Sequence, residues 1–142
     1  MILRELQLEN IGVFKGSQSL SFNTKSSTQP ITLVGALNGS GKTTILHALG
    51  RQLHGKTVLT CTTKMGLDQH GNLPVHFEPE DEILRNLSSG NPVMVWKEIQ
   101  GEKAIGVDPS LCDHWFNIVD NVIVEADGSR RLSFKAPADF EP

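Results

Sequence analysis

Two groups of side chains in this sequence have the types and spacing to do chemistry together. The first is the run Gly35-Ala36-Leu37-Asn38-Gly39-Ser40-Gly41-Lys42-Thr43-Thr44. Glycines let successive backbone N–H groups turn toward one anion, a helix start adds the positive end of its dipole, and a lysine at that junction neutralises terminal phosphate charge. The hydroxyl that follows, on Thr43, is a ligand for a hard cation such as Mg²⁺. The second group is the pair Glu125 and Asp127, which closes the apolar run Val122-Ile123-Val124. Cleaving a phosphoanhydride needs one acid to hold the metal and a group to orient the attacking water. Acids one residue apart lie on the same side of an extended chain, so the pair could share that work; a plain surface turn after a strand is the alternative.

A phosphate loop is spaced G-x-x-x-x-G-K-[ST]. Counting back from Gly41-Lys42-Thr43 puts Ala36 at the first glycine, with Gly35 one place early and Gly39 adding a permissive position. The expected phosphate cradle is the main chain of Asn38, Gly39, Ser40, Gly41, Lys42, Thr43 and Thr44. The expected catalytic residues are Lys42 on the β- and γ-phosphates, Glu125 orienting water and Asp127, with Thr43 and Asp127 holding Mg²⁺. A glycine- and serine-rich turn that merely joins a strand to a helix is the other reading; the lysine and paired threonines argue against it.

These residues need elements to hold them. Residues 31–34 are apolar and partly β-branched, as a buried strand requires, and Ile45, Leu46, Leu49 and Leu53 recur at helical spacing after the loop. Ahead of them Leu6 and Leu8, then Leu20 and Phe22, alternate with polar residues around a turn at residues 12–16, which predicts a β-hairpin. Thr57-Val58-Leu59-Thr60-Cys61 reads as a second buried strand, ending in Thr62-Thr63-Lys64-Met65 where ligands of an open α/β sheet gather. Those hydroxyls and that lysine either face the phosphates or are simply strand formers.

Residues 66–79 read as a long loop with His70 and His76, surface histidines rather than metal ligands. A short helix follows from Glu80-Asp81-Glu82 through Leu87, then strands over 92–99 and 103–107 around a turn at residues 100–102. Asp108-Pro109 opens a last helix with Leu111, Trp115 and Ile118 at core spacing.

At 142 residues the chain is one domain by length, and its two cysteines, Cys61 and Cys112, have no C-x-x-C partner. Reduced, partly buried thiols are expected, not a zinc site. No apolar run approaches the roughly eighteen residues of a membrane span, and the first five residues do not open a signal peptide, so a cytoplasmic protein is expected. Net charge is −3, carried as +3 over residues 1–55 and −6 beyond. The basic residues of the front half are scattered and lack interleaved aromatics, which reads as solvated surface rather than a nucleic-acid face.

The start of the chain, through Glu9-Asn10-Ile11-Gly12-Val13-Phe14-Lys15-Gly16 and on into the phosphate loop, resembles the start of SMC-type ATPases, DndD of DNA phosphorothioate modification above all. The likeness covers about the first 55 residues. It implies the front of an ATP-binding-cassette head, with DNA as partner and dimerisation around ATP. The rest of that head, a long coiled coil and a Ser-Gly-Gly signature, is not in this sequence.

From about residue 56 onward, and again at the phosphate loop, the chain resembles the YqeC family. The likeness rests on Thr57-Val58-Leu59-Thr60-Cys61-Thr62-Thr63-Lys64-Met65, Lys103-Ala104-Ile105-Gly106-Val107, Val124-Glu125-Ala126-Asp127-Gly128-Ser129-Arg130 and Lys135-Ala136-Pro137-Ala138. It implies a P-loop domain acting as an accessory to selenium-dependent molybdenum hydroxylases, with such an enzyme or its maturation machinery as partner. Leu37-Asn38-Gly39-Ser40 departs from that family's shorter Gly-Gly-Lys-Thr loop, and the family continues past the Lys-Ala-Pro stretch. A natural fusion or divergent relative, a recombined sequence and a truncated product all fit the meeting of two likenesses.

The expectation is a single α/β domain over residues 1–142. It is a three-layer P-loop NTPase fold with a mostly parallel sheet, a hairpin and connector over 1–30, and a core over 31–142 that the family likeness implies is cut short. Its expected ligands are ATP and Mg²⁺. Its expected role is an ATPase of the YqeC kind, the alternatives being a DNA-modification ATPase segment and a nucleotide-binding module without catalysis.

Overall fold

The computed structural model describes residues 5–10, 15–21 and 41–126. Strand β1 (Glu5–Glu9) pairs antiparallel with β2 (Ser17–Ser21), Leu6 opposite Leu20, so the expected hairpin pairing is present. The turn side is tied by Gly16 N donating to Asn10 Oδ1 at 3.0 Å and Asn10 N donating to Gly16 O at 3.0 Å.

Helix α1 (Lys42–Gln52) leads to β3 (Thr57–Cys61), which is buried along its whole length, as its apolar and threonine composition predicts. Short β4 (Lys64–Gly66), a 3-10 turn over Leu67–His70 and β5 (Val75–Phe77) follow, then α2 (Asp81–Arg85). Next come β6 (Val93–Trp96), β7 (Glu98–Gln100), β8 (Lys103–Ile105), α3 (Pro109–Phe116) and β9 (Asn121–Glu125). Four strands form a parallel sheet in the order β5-β6-β3-β9. Three others form an antiparallel sheet in the order β4-β8-β7.

Strand periodicity divides the core into two faces. Leu59 and Cys61 of β3 join Met94 and Trp96 of β6 and Leu46 of α1 on one side. Val58, Val93 and Val95 join Leu84, Trp115 and Val119 on the other, toward α2 and α3. Thr60, which points among apolar groups, satisfies its hydroxyl by donating to Val95 O at 2.7 Å. Gly50 brings α1 close to β3: a Cβ there would lie 2.9 Å from Leu59 Cδ1.

Two expectations change. Residues 92–99 are not one strand: after Trp96 the chain leaves the parallel sheet, and Lys97 N donates to Ile105 O at 3.0 Å, so β7 joins β8 instead. Gly106 makes the crossing possible, because a Cβ there would lie 2.5 Å from the carbonyl oxygens of Cys61 and Thr63. Residues 66–79 are not a structureless loop either: the 3-10 turn and β5 lie within them, and β5 completes the sheet beside β6. The strand expected over residues 31–34 lies outside the described residues. Among those described, no helix is long and apolar enough to cross a membrane.

Candidate functional site

Helix α1 begins at Lys42, and Gly41 before it is left-handed at φ 93°, a conformation that favours glycine. Among the described residues no side chain caps this helix start. Its first-turn N–H groups therefore rely on other partners, and the positive end of the helix dipole lies at the same place. Thr43 comes next on the first turn, half-buried.

The partner of Thr43 comes from the far end of the chain. Strand β9 runs parallel to β3 with Glu125 in register with Cys61, and α1 packs across both strands. That register sets the Glu125 carboxylate under the first turn of α1, where Thr43 Oγ1 donates to Glu125 Oε2 at 2.8 Å. The two are 82 positions apart in sequence. A hydroxyl and a carboxylate held together at a helix N-terminus and at the carboxyl end of a parallel strand form an oxygen donor set of the kind Mg²⁺ takes.

Glu125 also raises the thiol beside it. Burial first, and the Glu125 charge second, push Cys61 up to about 12. Burial likewise pushes Cys112 up to about 11, and both cysteines are free thiols.

Of the other expected site residues, Lys42 stands at the head of α1 and Thr44 follows Thr43 on its first turn. Asn38, Gly39, Ser40 and Asp127 lie outside the described residues. Of the groups at the end of β3, the Thr60 hydroxyl is locked to β6, the Thr62 main-chain N–H donates to Glu125 O at 3.2 Å, and Lys64 is exposed on β4. His70 packs edge-on against Trp96 at 6.0 Å, with its Nδ1 3.2 Å from Leu73 O.

Sequence reasoning passed over His47. Its Nε2 lies 2.7 Å from Gln69 O, which can only accept, so that nitrogen carries the proton and ties α1 to the 3-10 turn. The signal was its place four residues after Thr43, on the same helix face.

A family model for the YqeC protein matches residues 31–142. The chain belongs to the YqeC family. The match takes in the whole glycine-rich run, β9 and the remaining residues to Pro142. Over 119 residues the chain is 32% identical to "Uncharacterized protein YqeC" of Escherichia coli (strain K12), covering 78% of this chain and 46% of that protein. It thus spans about half the length of the curated relative it matches. No solved structure matches.

Proposed function

We propose that this YqeC-family chain binds Mg·ATP at the head of α1 and hydrolyses it slowly at the β,γ bond. The observation that carries the reading is the 2.8 Å hydrogen bond between Thr43 and Glu125, which joins the two groups that sequence spacing singles out. Thr43 and Glu125 fit a magnesium ion as hard oxygen donors, and a bound ion would supply charge neutralisation at the phosphates. Lys42 stabilises phosphate charge, and the main chain from Asn38 to Thr44 donates to the phosphate oxygens. Glu125 fixes the Thr43 hydroxyl and so takes the metal-side position that spacing alone gave to Asp127. Asp127 is then the candidate for orienting water, an exchange of the two expected roles.

Family membership supports an accessory role of the YqeC kind. We carry the reading one step further, to the maturation of selenium-dependent molybdenum hydroxylases, on that likeness. A nucleotide-driven accessory would present a different surface to its client with and without ATP.

Calorimetric titration with ATP, with and without Mg²⁺, tests the binding claim. The parent should bind in a magnesium-dependent manner, and Lys42→Ala should abolish binding. Unchanged affinity in a folded Lys42→Ala protein would overturn the assignment.

A further inference from the structure

A cleft of about 390 Å³ opens along α1, between Thr43, Thr44, His47 and Arg51 on the helix and Asp68 and Gly71 on the facing turn. That size falls in the range of roughly 300–1,000 Å³ usual for small-molecule sites. We propose that it is a second binding site, for a small molecule that carries an oxyanion together with a hydroxyl or amine. It rests on the nucleotide reading only in that Thr43, shared by both, would set this ligand beside the phosphates.

The lining carries the chemistry. Thr43, His47 and Arg51 succeed one another at four-residue intervals, so hydroxyl, imidazole and guanidinium form one row on a helix face. Arg51 has no ion-pair partner among the described residues, and a guanidinium is the group that grips carboxylate or phosphate with two parallel bonds. The imidazole is fixed in place by its bond to Gln69 O, while its Nδ1 is enclosed without a partner among the described residues. Gly71 on the facing wall holds φ 60°, and a Cβ there would stand in ordinary contact with His47 Cε1 at 3.5 Å.

Asp68 is the acid on that wall. Its Oδ1 is folded back over Gly66, where a Cβ would lie 2.6 Å away. An anion alone would meet repulsion from it, whereas a hydroxyl or ammonium on the same ligand would bond to it. The oxyanion belongs at the Arg51 end and the donor at the Asp68 end.

Glycerol phosphate and lactate are suitable probes, a phosphate and a carboxylate that each carry a hydroxyl. The readout is the ring resonances of His47 in the full chain labelled with ¹⁵N-histidine, assigned through His47→Gln. In the parent one of the two probes should shift them saturably at millimolar concentration, and which one does so names the oxyanion. Lys42→Ala should keep this response, while Arg51→Ala should weaken it about tenfold, as loss of a charge-assisted pair predicts. Arg51→Lys, which keeps a cation in the last turn of α1 but loses the fork, should fall between. No shift with either probe overturns the proposal. So does a response lost in Lys42→Ala and kept in Arg51→Ala, which would place the anion in the phosphate loop. A parent that fails to bind ATP yet shows the Arg51-dependent shift defeats the nucleotide reading and leaves the cleft standing.

Discussion

The two ends of the β3–β9 strand pair hold similar polar groups and use them differently. At the amino end, Asn121 Nδ2 donates to His54 O at 2.8 Å and to Thr57 Oγ1 at 3.1 Å, and Lys56 N donates to Asp120 Oδ2 at 2.7 Å. Gly55 holds φ 102° there, and a Cβ on it would lie 2.5 Å from Asp120 Oδ2. These bonds tie residues of one turn to each other, so their polarity stabilises that turn. At the carboxyl end, Glu125 receives the Thr43 hydroxyl from a helix rather than from a neighbouring strand. A carboxylate can accept about four hydrogen bonds, and Thr43 is the hydrogen-bond partner of its side chain among the described residues. Partners at the amino end belong to one turn and its two strands, while Glu125 is met by a side chain from the first turn of α1, 82 positions away. Substitutions at the two ends should therefore separate stability from activity.

The sharpest break is Glu125→Gln. The amide carbonyl still accepts from Thr43, so the fold should persist within about 1 kcal/mol. Losing the charge should cost about a hundredfold in ATP turnover and weaken the magnesium dependence of binding. Steady-state phosphate release alongside thermal melting decides it. A parent-like rate with a large drop in melting temperature would make Glu125 as structural as the amino-end residues.

A smaller effect reads the same carboxylate through its neighbour. Cys61, pushed up to about 12 from 9.0, holds far less thiolate at pH 8 than an unfolded cysteine does. Cys61 is also only 1% exposed, so alkylation of the folded protein should be far slower than of the denatured chain. Because the Glu125 charge is the second cause, Glu125→Gln should speed alkylation of Cys61 and leave Cys112 unaffected. Peptide mapping after timed iodoacetamide treatment follows both sites, and equal rates in folded and denatured protein would refute the claim. The linkage has a definite sign. Thiols whose folded values are raised contribute stability that is full below pH 9, where folded and unfolded chains are both protonated. It is lost as pH rises through about 11 and 12.

Local signals foretold the elements that local forces build. Asp108 caps α3 by accepting from Ser110 N at 2.9 Å, with Pro109 at the first helical position, as the Asp-Pro pair predicts. The buried run of β3 and the core spacing of Leu111, Trp115 and Ile118 were equally legible. What failed depended on distant partners. Nothing in residues 92–99 says that Lys97 changes sheets, because the cause is Ile105 O and the open flank at Gly106. The strand at Val75–Phe77 exists because β6 offers it an edge. The site follows the same division: spacing singled out Lys42, Thr43 and Glu125, but the register of β9 on β3 decides which hydroxyl Glu125 meets. His47 belongs to no motif, and its meaning comes from a turn that folds against it.

The smallest expected effect tests the amino end by itself. Asn121→Ala removes the two donors that join His54 O to Thr57 Oγ1. Thr57 is 1% exposed, and its hydroxyl would be left with Gly55 O at 3.5 Å, a marginal contact. His54 O, by contrast, lies at an exposed turn where water can replace the lost donor. The loss should therefore be about 1 kcal/mol, seen as a drop of roughly 3–5 °C in melting temperature. Turnover per folded molecule should not change, because nothing in this knot touches Thr43 or Glu125. If turnover fell while the melting temperature held, the two ends would be coupled along the strands, and the structural role of one could not be separated from the chemical role of the other.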